Sequence, residues 1–439
     1  MTAASDWRAL PGAGFGALFG VVVGMVLPSA AQAQSFTWQS GAQARAESNS
    51  NPALSADAGG ALVSRTVSAS VLTQRNTEAA QTQGDAELIL TPSERDSSST
   101  ALGRLSLRHR LSAPRETWTG SLAYRRDRTL GAASTTTSLT AGEVAVGRTD
   151  HTVGEGALAW SHAFSERLSS DLNASHARNT FRNSSGRTDG SAAVGNDYAL
   201  SSASAGLQHA WRETTSLSAT LSRTEQRPLD AGPSAAPGLA HTGIDGLRLS
   251  VNEVLSETGS AGLSVSRSTT TRDFTLFSPV CPLPVRFCQG GIVRYVLAPT
   301  PVRTRSHDLQ YSANASLRWD ETTALAARLA RSLTPGALGV SREDVLSLSA
   351  SRSFSETTSA GLGFDVSRSL QASAATGGAT TATLRSLTLR ASHRLGERLT
   401  LSTQLLQRNY QRPSPQSGAR ATVFSISLQY QGATVPVWR

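Results

Sequence analysis

Lysine is absent from this chain. All 41 strongly basic side chains are arginine, set against 32 acidic ones for a formal net charge of +9. Cysteine and methionine occur only twice each, and aromatic residues make up 5%. Two cysteines exclude a disulfide-dense scaffold and a zinc ribbon. Hydrophobic residues reach only 38%, thin for the several soluble cores that 439 residues would otherwise suggest. Long apolar runs are missing too. Past the N-terminus nothing approaches the ~20 residues of a membrane-spanning helix, which excludes a helical membrane protein.

The one apolar run is Phe15–Leu27 (FGALFGVVVGMVL), preceded by Arg8 and closed by Pro28. Ala31-Gln32-Ala33 follows as a small-x-small cleavage site. Residues 1–33 therefore read as a cleaved signal peptide; the run is short for the alternative, a membrane anchor. Residues 34–439 form the mature domain, outside the cytoplasm.

That domain is organised by a recurring phrase. A Leu or aromatic residue is followed by a short polar turn with a Glu, then by a new alternating run. The phrase occurs at Leu111–Glu116, Phe164–Glu166, Trp211–Glu213, Leu255–Glu257, Trp319–Glu321, Phe354–Glu356 and Leu395–Glu397. On either side apolar residues recur with period two, not 3.6. Ala360, Leu362, Phe364 and Val366 alternate with Gly361, Gly363, Asp365 and Ser367. Phe424, Ile426, Leu428 and Tyr430 alternate with Ser425, Ser427 and Gln429. Such runs are strands with one wet and one greasy face. Longer polar stretches such as 183–195, 228–242 and 279–301 separate them on the other side, the asymmetry of an outer-membrane barrel.

Eighteen runs can be placed, from 36–48 to 419–433. An even number puts both ends of the barrel on the short-turn side. The expected fold is all-β: one transmembrane antiparallel up-and-down barrel of about 18 strands, with short periplasmic turns and long extracellular loops. At that size a barrel encloses a lumen, not a packed core.

Period two sorts the polar residues. His109, His162, His209 and His393 stand two positions before a turn, on the outward face; Arg352 occupies the same place before Phe354. They lie on strands too far apart to converge on one ion, and read as an interfacial ring where amphipathic side chains are comfortable. Arg104, Arg108, Arg110, Arg125, Arg318, Arg328, Arg390 and Arg394 face inward. An arginine-lined lumen attracts anions and can bind carboxylates or phosphates bidentately. The competing reading is structural pairing with inward carboxylates such as Asp171 and Asp365. Cys281 and Cys288 flank Pro-Leu-Pro-Val-Arg-Phe in the longest loop and are expected to close a small disulfide in an oxidising compartment. No Gly-x-Ser-x-Gly elbow or metalloprotease helix occurs, so no enzyme, metal or cofactor is expected. The positive charge does not point to nucleic acid, given the leader and the membrane-facing strands.

The stretches Trp160-Ser-His-Ala-Phe-Ser-Glu-Arg-Leu168 and Ala350–Arg368 (ASRSFSETTSAGLGFDVSR), with the opening Phe36-Thr-Trp38 and Ser48-Asn-Ser-Asn51, resemble a family of Gram-negative outer-membrane β-barrels associated with exosortase/PEP-CTERM and exopolysaccharide gene clusters. The likeness spans roughly residues 35–433. It implies an outer-membrane barrel without catalytic residues. The expected partners are outer-membrane lipid and lipopolysaccharide, and anionic polysaccharide or polysaccharide-export components. Such barrels commonly end on an aromatic residue, whereas this chain continues past Tyr430 to Trp438 and Arg439, leaving Tyr430 and Trp438 as the two candidates for the assembly signal. Two functions stand at this point: a porin-like channel for exopolysaccharide or small anions, and a non-transporting scaffold barrel.

Overall fold

The computed structural model describes residues 35–51, 61–91, 100–129, 149–182, 197–229, 241–281, 296–336, 339–372, 379–411 and 418–438, with nineteen strands and no helix among them. The leader assigned to residues 1–33 lies outside the described residues. The strands are β1 (Ser35–Asn49), β2 (Leu62–Asn76), β3 (Ala80–Thr91), β4 (Thr100–Ser112), β5 (Glu116–Thr129) and β6 (Thr149–Ala163). Next come β7 (Leu168–Arg182), β8 (Tyr198–Ala210), β9 (Thr215–Pro228), β10 (His241–Ser256), β11 (Gly259–Val280), β12 (Val296–Arg318) and β13 (Thr323–Gly336). The last are β14 (Gly339–Ser353), β15 (Thr358–Ala372), β16 (Ala379–Arg394), β17 (Leu399–Gln411), β18 (Ala419–Gln431) and β19 (Val435–Trp438).

From β1 to β18 each strand pairs with its neighbours in sequence, antiparallel throughout. The sheet closes because β1 also pairs with β18, from Gly41 opposite Gln431 to Asn49 opposite Val423. This is the eighteen-strand closed barrel that the alternation predicts. The extra strand β19 was not expected. It continues β18 along the same edge of β1, with Trp438 opposite Phe36 and Val435 opposite Trp38. Gly432 makes the joint: its N–H donates to the Ser40 carbonyl at 2.7 Å, and a Cβ there would stand 3.0 Å from that carbonyl oxygen. Only glycine lets the two backbones approach so closely.

The turn phrase has a mechanism, and its Glu is not the agent. In the Phe164 turn, Ser165 Oγ accepts the N–H of Arg167 and Leu168; in the Phe354 turn, Ser355 Oγ accepts those of Thr357 and Thr358. Asp320 does the same for Thr322 and Thr323, at 2.7 and 2.6 Å. Four of the seven turns are tied by the N–H of the Leu or aromatic residue donating to the carbonyl four residues on, at 2.9 Å for Phe164, Phe354 and Leu395 and 3.0 Å for Trp319. Glu166, Glu321 and Glu356 stay exposed. A short side-chain acceptor that satisfies local N–H groups is what such turns require.

Register puts direct partners on one face, so parity propagates round the wall. Leu362 lies opposite Ala350 and Leu389, and Phe364 opposite Leu348 and Leu387. Leu362 is 50% exposed and Phe364 37%. Between them, Gly363 lies opposite Ser349 and Thr388. The inner face is dominated by hydroxyls bonded across strands, as in Ser175–Ser202, Ser218–Ser250 and Ser264–Ser312. The greasy face therefore points out and the polar face in, the inverse of a soluble protein.

The cylinder has one irregularity. β12 pairs with β13 only from Tyr311–Arg331 to Arg318–Ala324, while β13 runs on with β14 to Gly336–Gly339. Beyond Tyr311 the strands part. Arg272 on the inner face of β11 donates to the Val340 carbonyl of β14 at 3.2 Å. Three strand spacings on an unbroken wall would be about 14 Å, farther than an arginine side chain extends. By parity Val340 belongs to the outer face, yet it is only 4% exposed. The far end of the β13–β14 hairpin thus folds inward, laying its outer face on the inner face of β11 and β12 and narrowing the lumen.

Two outcomes follow from this wall. Leu362→Arg and Phe364→Arg should impair assembly, because an arginine facing lipid at mid-depth costs roughly 2–4 kcal/mol. Gly363→Arg should be tolerated, since a Cβ there meets nothing closer than Thr388 at 3.7 Å. Heat-shifted gel mobility of the three variants reads this; equal damage at all three would mean both faces are buried. In the exposed turn at Asp320, the hydrogen bond from the Thr322 hydroxyl, then its N–H and those of Thr323, hold the carboxyl below its ordinary value. A depressed folded value stabilises the turn above the unfolded carboxyl's pKa, about 3.9, and the benefit is lost as pH falls through the folded value. The protection of the Thr322 and Thr323 amides, their exchange rates relative to the intrinsic rate at each pH, should therefore fall below that range, and at all pH values in Asp320→Ala. A turn whose protection is blind to both changes would contradict this.

Candidate functional site: the barrel lumen

All eight arginines expected in the lumen lie on its inner face, and all are exposed. On β4, Arg110 is opposite Thr119, Arg108 opposite Ser121 and Arg104 opposite Arg125. Arg328 faces Asn314 and Ser347. Arg390 faces Gly361 and Gln404, and Arg394 faces Thr400. Arg318 faces Ala324. Counted from the turn-side strand ends they form tiers. Arg318 and Arg394 stand at the rim with Arg110 two residues in, Arg108, Arg328 and Arg390 four or five residues in, and Arg104 with Arg125 eight or nine, at about 3.3 Å of strand per residue. β4 and β13 are half an eighteen-strand circuit apart, so the tiers draw on opposing walls.

Asp171 and Asp365 are register partners of none of these arginines, whereas Asp85, opposite Ser106, lies between the levels of Arg104 and Arg108. Asp365 has Ser347 and Ser386 as register partners, four residues along the wall from the level of Arg390. Asp171 lies opposite Ser161 and Gly206, and accepts from Asn173 Nδ2 at 3.0 Å. A Cβ at Gly206 would stand 2.3 Å from Asp171 Oδ1, so this carboxylate rests over a glycine. Only Arg104 has an acid directly opposite it, Glu87. Most of these arginines thus face hydroxyls, amides and small residues. Beside Arg108, a recess of about 520 Å³ is lined by Ser121, Asn173, Ser175, Ser202 and Thr224. Planar cations among hydroxyls and amides suit carboxylates and sugar hydroxyls.

The loop-side half of the lumen is different, and the sequence reading did not single it out. On β1, Arg45 bonds Glu47 at 2.9 Å and Ser425 Oγ at 3.1 Å. Glu47 is 6% exposed, and Arg408 of β17, within Coulombic reach of it, 2%. Leu384, Tyr410, Ala419 and Ala421 pack beside them as an inward-facing apolar cluster. Across the mouth, His151 stacks on Phe181 at 4.4 Å, Phe181 on Tyr198 at 6.2 Å, and His151 Nε2 bonds Asn179 Oδ1 at 3.0 Å. Parity alone would have placed Arg45, Glu47 and Arg408 inward together. What it could not show is the burial of Glu47 and Arg408, which makes them wall structure and not a wetted path.

The outward histidines have wall partners. His109 Nδ1 bonds Thr82 at 2.8 Å, His162 bonds Glu116 at 3.1 Å, and His393 bonds Thr358 at 2.8 Å. His209 meets Trp211 edge-on at 6.3 Å. Of the loop cysteines, Cys281 lies just beyond β11 and Cys288 falls outside the described residues.

No protein-family model matches the chain, nor does any curated protein. The resemblance to exosortase-associated barrels is therefore without support from these comparisons. Among solved structures the chain is similar to the outer membrane protein OpdK of Pseudomonas aeruginosa, at 11% identity over 90% of this chain and 99% of that one, with a TM-score of 0.47. It is also similar to P. aeruginosa OccK2 (OpdF) in complex with glucuronate, at 11% identity over 93% and 100%, with a TM-score of 0.47. The ferric-catecholate import receptor Fiu of E. coli K12 matches at 10% identity over 89% and 81%, with a TM-score of 0.44.

Proposed function

We propose that this chain is a porin-like outer-membrane channel, exported by its leader, that passes small anionic solutes. The membrane reading rests on the belt of exposed Leu, Phe, Val and Trp around a closed barrel. The transport reading rests on one observation: eight exposed inward arginines, most of them opposite uncharged residues. Their fields add across the lumen, and a low-dielectric wall focuses them. Hydroxyl-rich walls extend the solute class to acidic sugars. Passage of exopolysaccharide, and contact with polysaccharide-export components, is the finer part of the proposal and rests on the sequence resemblance alone. Lipopolysaccharide and other outer-membrane lipids are its surroundings, and no catalytic role is assigned.

The alternative, a non-transporting scaffold barrel, draws on the inward-folded end of β13–β14 and the buried inner face near β16–β18. Both narrow the loop-side half.

The two readings part in a planar bilayer. Replacing Arg104, Arg108, Arg318 and Arg390 with Gln should move the reversal potential in a salt gradient away from anion preference, with the folded gel mobility unchanged. The wild-type preference should itself fade in strong salt, because the Debye length falls from about 10 Å at 0.1 M to about 3 Å at 1 M. Unaltered selectivity with a lowered unfolding temperature would make the arginines structural and leave the scaffold reading standing.

A further inference from the structure

The lipid-facing wall carries a groove of about 840 Å³ across the outer faces of β5 to β11. Its floor is made of small outward residues, Ala174, Ala203 and Ala205, where neighbouring strands present Leu. At the turn-side end stand Trp118 and Trp160, with ring centroids 5.9 Å apart. At the other end stand Arg223, Asp245 and Arg267. Asp245 is the register partner of Arg223, 3.7 Å from its guanidinium. Arg267 is opposite Leu247, one outward position from Asp245. Arg223 and Arg227 also share Glu225, at 2.8 Å each. The cluster thus holds three arginines and two carboxylates, leaving one positive charge in excess.

A charge on the lipid face is costly at mid-depth and nearly free at the interface. Arg223 and Asp245 stand one outward position loopward of Leu221 and Leu247, and Arg267, opposite Leu247 and Leu309, one loopward of Val265, so the cluster borders the apolar belt where such charges are tolerated. The same device recurs four strands on: Asp344 is the register partner of both Arg331 and Arg368. The turn-side edge of the belt instead carries indoles and imidazoles. A narrow apolar track, aromatic at one end and doubly guanidinium-bearing at the other, has the form of one acyl chain joined to an anionic headgroup.

We propose that this groove is a binding site for a phosphate-bearing anionic lipid of the loop-side leaflet, one acyl chain along Ala174, Ala203 and Ala205 and its phosphate held by Arg223 and Arg267, with phosphatidylglycerol as the probe. Guanidinium groups bind phosphate oxygens bidentately. The inference rests on the reading that the barrel spans a membrane.

Native mass spectrometry of the mature barrel in non-ionic detergent tests it, with phosphatidylglycerol and phosphatidylcholine of identical chains as probes. The wild type should bind the first phosphatidylglycerol about tenfold more tightly than phosphatidylcholine, the scale of one charge-assisted hydrogen bond. R223Q/R267Q should bring the two lipids to near parity. A203L/A205L, which fills the floor with ordinary lipid-facing residues, should weaken both. Heat-shifted gel mobility confirms that the variants fold, and the wild-type lipid ratio stands as a test even if one does not. Equal affinities in the wild type, or a ratio unmoved by R223Q/R267Q, would overturn the proposal. So would complete displacement of phosphatidylglycerol by equimolar inorganic phosphate, the mark of a free-anion site. Flotation with phosphatidylcholine vesicles separates the levels. A barrel that floats without lipid preference loses this site alone, whereas one that does not float loses the membrane reading with it.

Discussion

The structure depends on one requirement: a greasy-faced sheet must leave no backbone N–H or C=O unpaired where water cannot reach. In hydrocarbon each unsatisfied group costs several kcal/mol, and a sheet meets the demand only by closing on itself. The β1–β18 ladder does this, joining segments nearly four hundred residues apart. The short strand β19 carries the same edge onward, so the turn-side end of β1 is paired as well. Where the ladder fails, between the far ends of β12 and β13, the hairpin turns inward. Arg272 then bonds the Val340 carbonyl, and the wall overlaps itself where it would have gaped.

Closure fixes the two faces. With one register round the wall, every side chain is committed by parity to lumen or lipid, and composition follows. Leu and Phe crowd one face, Ser and Thr the other. Arginine appears on both, with different meanings. On the inner face the eight turn-side arginines are exposed and most of them face hydroxyls, amides and small residues, whereas Arg408 is buried. On the outer face it marks the edge of the apolar belt, held beside Asp245 and Asp344. The same residue type does different chemistry because its neighbours and depth differ.

The barrel was legible because period two is the signature of a half-wet strand, and Leu362, Gly363 and Phe364 display it without ambiguity. The repeated turns were legible too, although the conspicuous Glu only marked them. Ser165, Asp320 and Ser355, one position earlier, hold the backbone. β19 was missed because Val435–Trp438 is too short to show a period and holds Pro436. The inward fold of β13–β14 left no local trace: it is a relation between Arg272 and Val340, 68 residues apart. The inward placement of the eight arginines followed from parity, but the burial of Glu47 and Arg408 depends on what packs over them. Parity gives direction and not depth.

The central claim is that one wall separates a water-filled lumen from lipid with strict alternation. Single-cysteine labelling along β15, in a background with Cys281 and Cys288 replaced by Ser, tests it most directly. In the assembled barrel, cysteines at Gly361, Gly363 and Asp365 should react with a water-soluble maleimide, and those at Leu362, Phe364 and Val366 only with a lipid-soluble one. Labelling of both sets by the water-soluble reagent, or of neither, would contradict the account.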